Sequence, residues 1–122
     1  MRILLVDDNI EFLTVLGRFL EADGRHEVVG KALGGREGLR MAQELDPDVA
    51  IVDYDMPGID GPETVRRMKR EAPGIRTVVI TGLLEHEYAG PSLQAGADRF
   101  LAKHKIEELL SFLQSLTEAA RS

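Results

Sequence analysis

The chain has 122 residues, no cysteine and a formal net charge of −6. Zero cysteines exclude disulfides, thiolate metal sites and thiol catalysis, and a pI near 5.0 argues against this segment gripping nucleic acid, which wants a basic face. With 43% hydrophobic and 30% charged residues, it reads as an ordinary soluble globular protein. Its length predicts one domain over residues 1–122. No apolar run exceeds four residues, against about 20 for a membrane span, and Ile3-Leu4-Leu5-Val6 is too short for a signal-peptide core. A cytoplasmic chain with no membrane contact is the expectation.

Strand and helix alternate along the sequence. Ile3-Leu4-Leu5-Val6, stopped by Asp7-Asp8-Asn9, predicts a strand buried on both faces. Phe12, Val15, Leu16, Phe19 and Leu20 recur at helical spacing, and Asp23-Gly24 ends that helix. Val28-Val29 is a second, weaker strand. Gly34-Gly35 opens a helix carrying Leu39, Ala42 and Leu45, which must stop before Pro47. Val49–Val52 is a third strand, stopped by Asp53. Asp60 caps a third helix, with Pro62 in its first turn and Glu63 at capping-box spacing. Thr77–Thr81 is a fourth strand, and a fourth helix is expected around residues 85–95. Gly90-Pro91 falls inside it and predicts a helix that is kinked, shortened or started late at Pro91. Phe100-Leu101-Ala102 is a fifth strand ending at Lys103. Ile106, Leu109, Leu110, Leu113 and Leu116 mark a final helix. There is no internal repeat, low-complexity tract or linker.

This alternation predicts an α/β fold: a doubly wound, five-stranded parallel sheet covered on both faces, with order 2-1-3-4-5 favoured. Ligands of such sheets bind beyond the carboxyl ends of the strands, where strand order reverses. The residues there are Asp7 and Asp8, Asp53, Thr81 and Lys103. Three ionised carboxylates about 5 Å apart at an effective dielectric of about 20 repel by roughly 3 kcal/mol per pair. The total, roughly 9 kcal/mol, is comparable with the stability of a whole domain. Either a carboxyl stays protonated or a cation binds, and oxygen-only ligands favour a hard ion such as Mg²⁺. Taken singly, Asp7, Asp8 and Asp53 could each be only a cap; gathered at adjacent strand ends they point to a site.

The residues that carry this site also carry a family resemblance. Ile3–Asp8, the stretch 47–61 (PDVAIVDYDMPGIDG), 79–82 (VITG) and 96–103 (GADRFLAK), in this order and spacing, resemble the receiver domain of bacterial two-component response regulators, with its flavodoxin-like fold. The match runs over essentially the whole chain. The resemblance implies that Asp53 accepts a phosphoryl group from a sensor histidine kinase, a phosphotransfer protein or a small phospho-donor. It implies direct Mg²⁺ ligation by Asp8, Asp53 and the main-chain carbonyl of Asp55, with Asp7 acting through water. Thr81 then supplies a hydroxyl, Lys103 a positive partner and Gly82 a backbone N–H, and Phe100 takes the position of the switch aromatic. The fourth helix, fifth strand and fifth helix become the output face, open to homodimerisation. Such a chain catalyses only its own phosphoryl transfer and dephosphorylation.

Each of these residues also has a plainer reading. Thr81 is a β-branched strand residue, Lys103 a solvated strand-end charge, Phe100 core packing and Met56-Pro57 turn chemistry. His26, His86 and His104 are not clustered and form no metal triad. One departure from the family concerns the last loop: His104 stands where proline commonly follows the lysine, so a cis bond is not expected. Rival functions fit less well. A haloacid-dehalogenase-like phosphohydrolase would need threonine where Pro57 stands, a flavin carrier would need a hydroxyl- and glycine-rich first loop, and no key position suggests a degenerate receiver. Val28 to Thr81 resembles receivers fused to DNA-binding helix-turn-helix domains; a stand-alone regulator is the alternative.

Overall fold

The computed structural model describes residues 1–82 and 85–121. The apolar runs are strands: β1 (Arg2–Val6), β2 (Glu27–Ala32), β3 (Val49–Asp53), β4 (Arg76–Thr81) and β5 (Arg99–Ala102). They form one sheet of order β2-β1-β3-β4-β5 in which every neighbouring pair is parallel. The connections carry α1 (Ile10–Glu21), α2 (Gly35–Leu45), α3 (Gly61–Glu71) and α4 (Glu85–Gln94). A single 3-10 turn, Lys103–Lys105, leads into α5 (Ile106–Arg121).

The central strands are continuously apolar because both faces are covered, and alternate residues serve opposite layers. Leu4, Val6, Ala50, Val52 and Val79 pack with Ala42 of α2 and with Val65 and Met68 of α3. Ile3, Leu5, Val49, Ile51, Val78 and Ile80 pack on the other face with Leu13, Leu16 and Leu20 of α1 and with Leu109 and Leu113 of α5. Among the described residues the sheet separates the two cores.

Edge strand β2 is longer than its sequence signal. Gly30 and Lys31 interrupt the apolar pattern, yet the strand runs to Ala32 and is mostly half-exposed. Its register against β1 shifts after Ile3, which faces Val28, so that Leu4 faces Gly30. A Cβ on Gly30 would lie 2.8 Å from Leu45 Cδ1 and 3.2 Å from Leu4 Cδ1. The glycine therefore permits the close approach of α2 that an apolar side chain there would block.

The expectation for the fourth helix needs correction. It is neither cut short nor delayed to Pro91: α4 runs from Glu85 to Gln94 with Pro91 inside it. Proline clashes with the Cβ of the residue before it when that residue is helical. Gly90 has no Cβ, so the pair is compatible with a continuing helix that gives up one i→i−4 bond. The last loop is a 3-10 turn, and no peptide bond among the described residues is cis.

Helix starts fix the loops at the carboxyl rim of the sheet. Asn9 caps α1, its side chain accepting from Phe12 N–H, and Asp60 caps α3, accepting from Glu63 N–H. The return half of the expected capping box is replaced by ion pairs of Glu63 with Arg66 and Arg67. At the start of α3 the chain passes directly over the end of β3. A Cβ on Gly61 would stand 2.4 Å from the Asp53 carbonyl oxygen and 2.8 Å from Tyr54 Cα. Both neighbours are backbone and cannot rotate away. Gly61→Ala is expected to lower unfolding free energy by about 2–3 kcal/mol in urea titrations; a loss below about 0.5 kcal/mol, the size of an ordinary surface change, would show that the contact relaxes freely.

Candidate functional site

Asp7 follows β1 and continues its pairing, donating its N–H to Ala32 O at 3.0 Å. That pins the residue at the rim with only 1% of its surface exposed. Its Oδ1 accepts the N–H of Asn9 at 2.9 Å, and Asn9 Oδ1 in turn accepts the N–H of Phe12 at 3.1 Å. Capping of α1 thus falls to Asn9, which releases Asp7 and Asp8 from the capping role weighed above. Asp53 ends β3, the strand between β1 and β4, and is buried. Asp8 is exposed. One carboxylate oxygen from each of Asp7, Asp8 and Asp53 lies within 4.8 Å of the other two. The convergence expected from strand order is therefore present.

Lys103, the first residue after β5, reaches back across β4 to these acids. Its Nζ lies 2.9 Å from Asp7 Oδ2 and 3.3 Å from Asp53 Oδ1. Asp7 Oδ2 is buried, and the ammonium is its ionic partner. On its remaining side the ammonium sits over the Phe12 ring, 4.3 Å from the centroid. Burial alone would lower the Lys103 pKa, but Asp7 and Asp53 outweigh it and hold the group above its ordinary value. Burial first, and the Asp7 charge second, push Asp53 up to about 6, against the opposing pull of Lys103. At neutral pH the site therefore holds a cationic lysine and an ionised but destabilised Asp53.

The other predicted residues are distributed around this pair. Thr81 ends β4, is buried, and stands opposite Ala102 in the β4–β5 register, one residue before Lys103. Gly82 follows it and is exposed, with open space where a Cβ would point. Phe100 and Tyr54 are half-buried and both pack on the α2–α3 side of the sheet. Met56 belongs to that core, which settles its turn as a packed one. Asp55 is exposed in the loop after β3. Among the described residues no histidine joins the acid cluster: His26 lies 3.4 Å from the amino group of Met1 and His104 is in the exposed turn after Lys103. The side chain of His86 lies outside the described residues.

Sequence reasoning missed Asn9 and Phe12. Asn9 carried a legible signal, as an Asn directly before a helical repeat. Phe12 did not, because its period assigns it to a helix face and nothing local couples it to a lysine near the other end of the chain.

A family model described as the response regulator receiver domain matches residues 3–114. The chain is 39% identical over 103 residues to the transcriptional regulatory protein LiaR of Bacillus subtilis, covering 84% of this chain and 49% of that protein. It thus spans about half the length of the curated relatives it matches. A LuxR-family two-component response regulator from Aurantimonas superposes with TM-score 0.90 at 26% identity, covering 97% of this chain and 85% of that one. A response regulator from Burkholderia pseudomallei, solved with a phosphorylated aspartic acid, a calcium ion and citrate, gives TM-score 0.82 at 29% identity, covering 99% and 72%.

The electrostatic strain at Asp53 has a measurable sign. Its folded pKa, about 6, exceeds the unfolded value of about 3.9, so the native state binds the extra proton and loses stability as pH rises between these values. Removing the charge should recover that loss. In metal-free buffer at pH 7.5, Asp53→Asn is expected to be more stable by about 1–2 kcal/mol, a figure reduced for water at the mouth of the site. The gain should vanish near pH 4. Urea denaturation with chelator at the two pH values measures it, and an Asn variant no more stable at pH 7.5 contradicts the account.

Proposed function

The chain belongs to the response regulator receiver domain family, and on that premise we propose that Asp53 is the phosphoryl acceptor of a two-component signalling protein. The observation that carries the assignment is Lys103 Nζ lying between the buried carboxylates of Asp7 and Asp53, at 2.9 and 3.3 Å. Asp53 is the member of the cluster that faces this ammonium from the central strand. With a pKa near 6 it is largely ionised, hence nucleophilic, at neutral pH. Its oxygen forms the new P–O bond as the bond from phosphorus to the donor breaks, the donor being a phosphohistidine of a sensor kinase or phosphotransfer protein, or a small acyl phosphate.

The residues present fit a magnesium ion. All the side-chain donors are carboxylate oxygens, a hard set, and buried Asp7 Oδ2 lacks a hydrogen bond. Asp8, Asp53 and the main-chain carbonyl of Asp55 would hold the ion directly, and Asp7 through water. When bound, it supplies positive charge to the acceptor carboxylate and the transferred oxygens. Lys103 neutralises those oxygens from the protein side, and phosphoryl transfer depends chiefly on such positioning and charge stabilisation. Thr81 donates its hydroxyl and Gly82 its N–H to the same oxygens.

The energetics suit a switch. The phosphoryl group adds roughly two negative charges, and hydrogen bonds to charged groups are worth about 1.5–3 kcal/mol each. Contacts from Thr81 and Lys103 that form in one state only thus supply about 3–6 kcal/mol, against about 5.5 kcal/mol needed to invert a 1:99 equilibrium. Thr81 moving inward leaves room for Phe100, which passes the change to the face formed by α4, β5 and α5. That surface is the natural place for homodimerisation or for docking of an output domain, and the chain's likeness to a transcriptional regulator of twice its span supports a DNA-binding one. The role is signalling in the cytoplasm; no helix among the described residues is long and apolar enough to cross a membrane.

Incubation with acetyl phosphate and Mg²⁺ should give one acid-labile, hydroxylamine-sensitive acyl phosphate in the wild type and none in Asp53→Asn, read by intact-protein mass spectrometry. Phosphate retained by the Asn variant would refute the acceptor assignment. Lys103→Ala should slow labelling roughly 100-fold, the loss typical of removing one preorganised charge stabiliser, and labelling at the wild-type rate would remove Lys103 from the mechanism.

A further inference from the structure

We infer that Phe12 is a positioning residue that holds the Lys103 ammonium over Asp53, an inference that rests on the roles of Asp53 and Lys103 given above. An ammonium has three N–H donors. Two directions from Lys103 Nζ are taken by Asp7 Oδ2 at 2.9 Å and Asp53 Oδ1 at 3.3 Å, and a third by the Phe12 ring, whose centroid is 4.3 Å away. That distance is well inside the range of about 6 Å over which a ring face attracts a cation. The Lys103 side chain remains 25% exposed on a long flexible stem, so without the ring its charged end has an open route to water.

The ring is itself held in place through Asp7. Asp7 Oδ1 accepts the Asn9 N–H at 2.9 Å, and Asn9 Oδ1 accepts the Phe12 N–H at 3.1 Å. The Phe12 ring covers Lys103, and Lys103 returns to Asp7 through Oδ2. The four residues close a loop of contacts on one buried carboxylate. Asp7 thereby fixes both the lysine and the aromatic that covers it, and the ammonium is aimed at Asp53 before any phosphoryl group arrives. Groups that need no reorganisation at the moment of reaction are the effective ones. Phe12 also touches the core on the α1–α5 side, which is what a purely packing residue would do. The two roles separate experimentally.

A double-mutant cycle with Lys103 makes the separation, using rates of labelling by acetyl phosphate with saturating Mg²⁺. Phe12→Leu should slow labelling roughly three- to tenfold in the wild-type background, the size a partly desolvated cation–π contact supports. In a Lys103→Ala background the same change should alter the rate by less than about twofold. Phe12→Tyr, which keeps a ring face, should label close to the wild-type rate. Equal slowing in both backgrounds, slowing by Tyr as large as by Leu, or no slowing at all would overturn the inference. Calorimetric titration with MgCl₂ reads the same contact without labelling. A lysine released from the carboxylates repels the ion less, so Phe12→Leu should bind Mg²⁺ about two- to fivefold more tightly than wild type, and unchanged or weaker binding speaks against the role. If Asp53→Asn still incorporates phosphate, the acceptor assignment fails while this titration continues to test Phe12; if only the Phe12 arms fail, the acceptor assignment stands.

Discussion

One lysine makes this site possible. Two carboxylates, Asp7 and Asp53, are buried at the ends of adjacent strands, with a third, Asp8, close by at the surface. Such a cluster repels itself, and a single ammonium inserted between the buried pair relieves part of the cost. The relief is incomplete, as the raised pKa of Asp53 records. That residual imbalance is useful. A site left with surplus negative charge attracts a cation. The acidity of the cluster and the placement of Lys103 are therefore two parts of one arrangement.

The rest of the molecule exists, in physical terms, to keep those strand ends in register. Each fully buried aliphatic side chain of the sheet contributes about 1.5–3 kcal/mol, so a few of the many buried residues offset the electrostatic cost at the rim. Strand order does the remaining work. Because β1 and β3 are neighbours while their connections run to opposite faces, the loops part above them and leave a crevice. Asp7 and Asp53 meet at that crevice, and Lys103 reaches it from beyond β4.

Most of this was legible in the amino-acid order because the signals are local and redundant. Ile3–Val6, Val49–Val52 and Val78–Ile80 are apolar without alternation, which together with their shortness points to strands covered on both faces, and each is followed by a polar residue at the rim. The misreadings share a cause, which is that a neighbour overrides a residue's own tendency. Pro91 ordinarily breaks a helix, but Gly90 removes one of its clashes, the one with the Cβ of the preceding residue. Gly30 and Lys31 ordinarily end a strand, but pairing with β1 and the approach of α2 carry β2 on to Ala32. Asp7 and Asp8 compete for a cap that Asn9 takes. Phe12 is the instructive case: its burial pattern was readable, whereas its contact with Lys103 depends on α1 and the turn before α5 being brought together by the whole sheet.

Tyr54 shows how the loop beside Asp53 is prepared. Its N–H is bonded to Ile80 O and its carbonyl to Gly61 N–H, both at 2.8 Å, so the main chain is clamped at both ends of the segment between β3 and α3. The disorder that segment would otherwise possess is given up when the protein folds. Any ligand of that loop would meet a backbone that has already paid its entropy, and the interaction it made would go into affinity and not into ordering the loop.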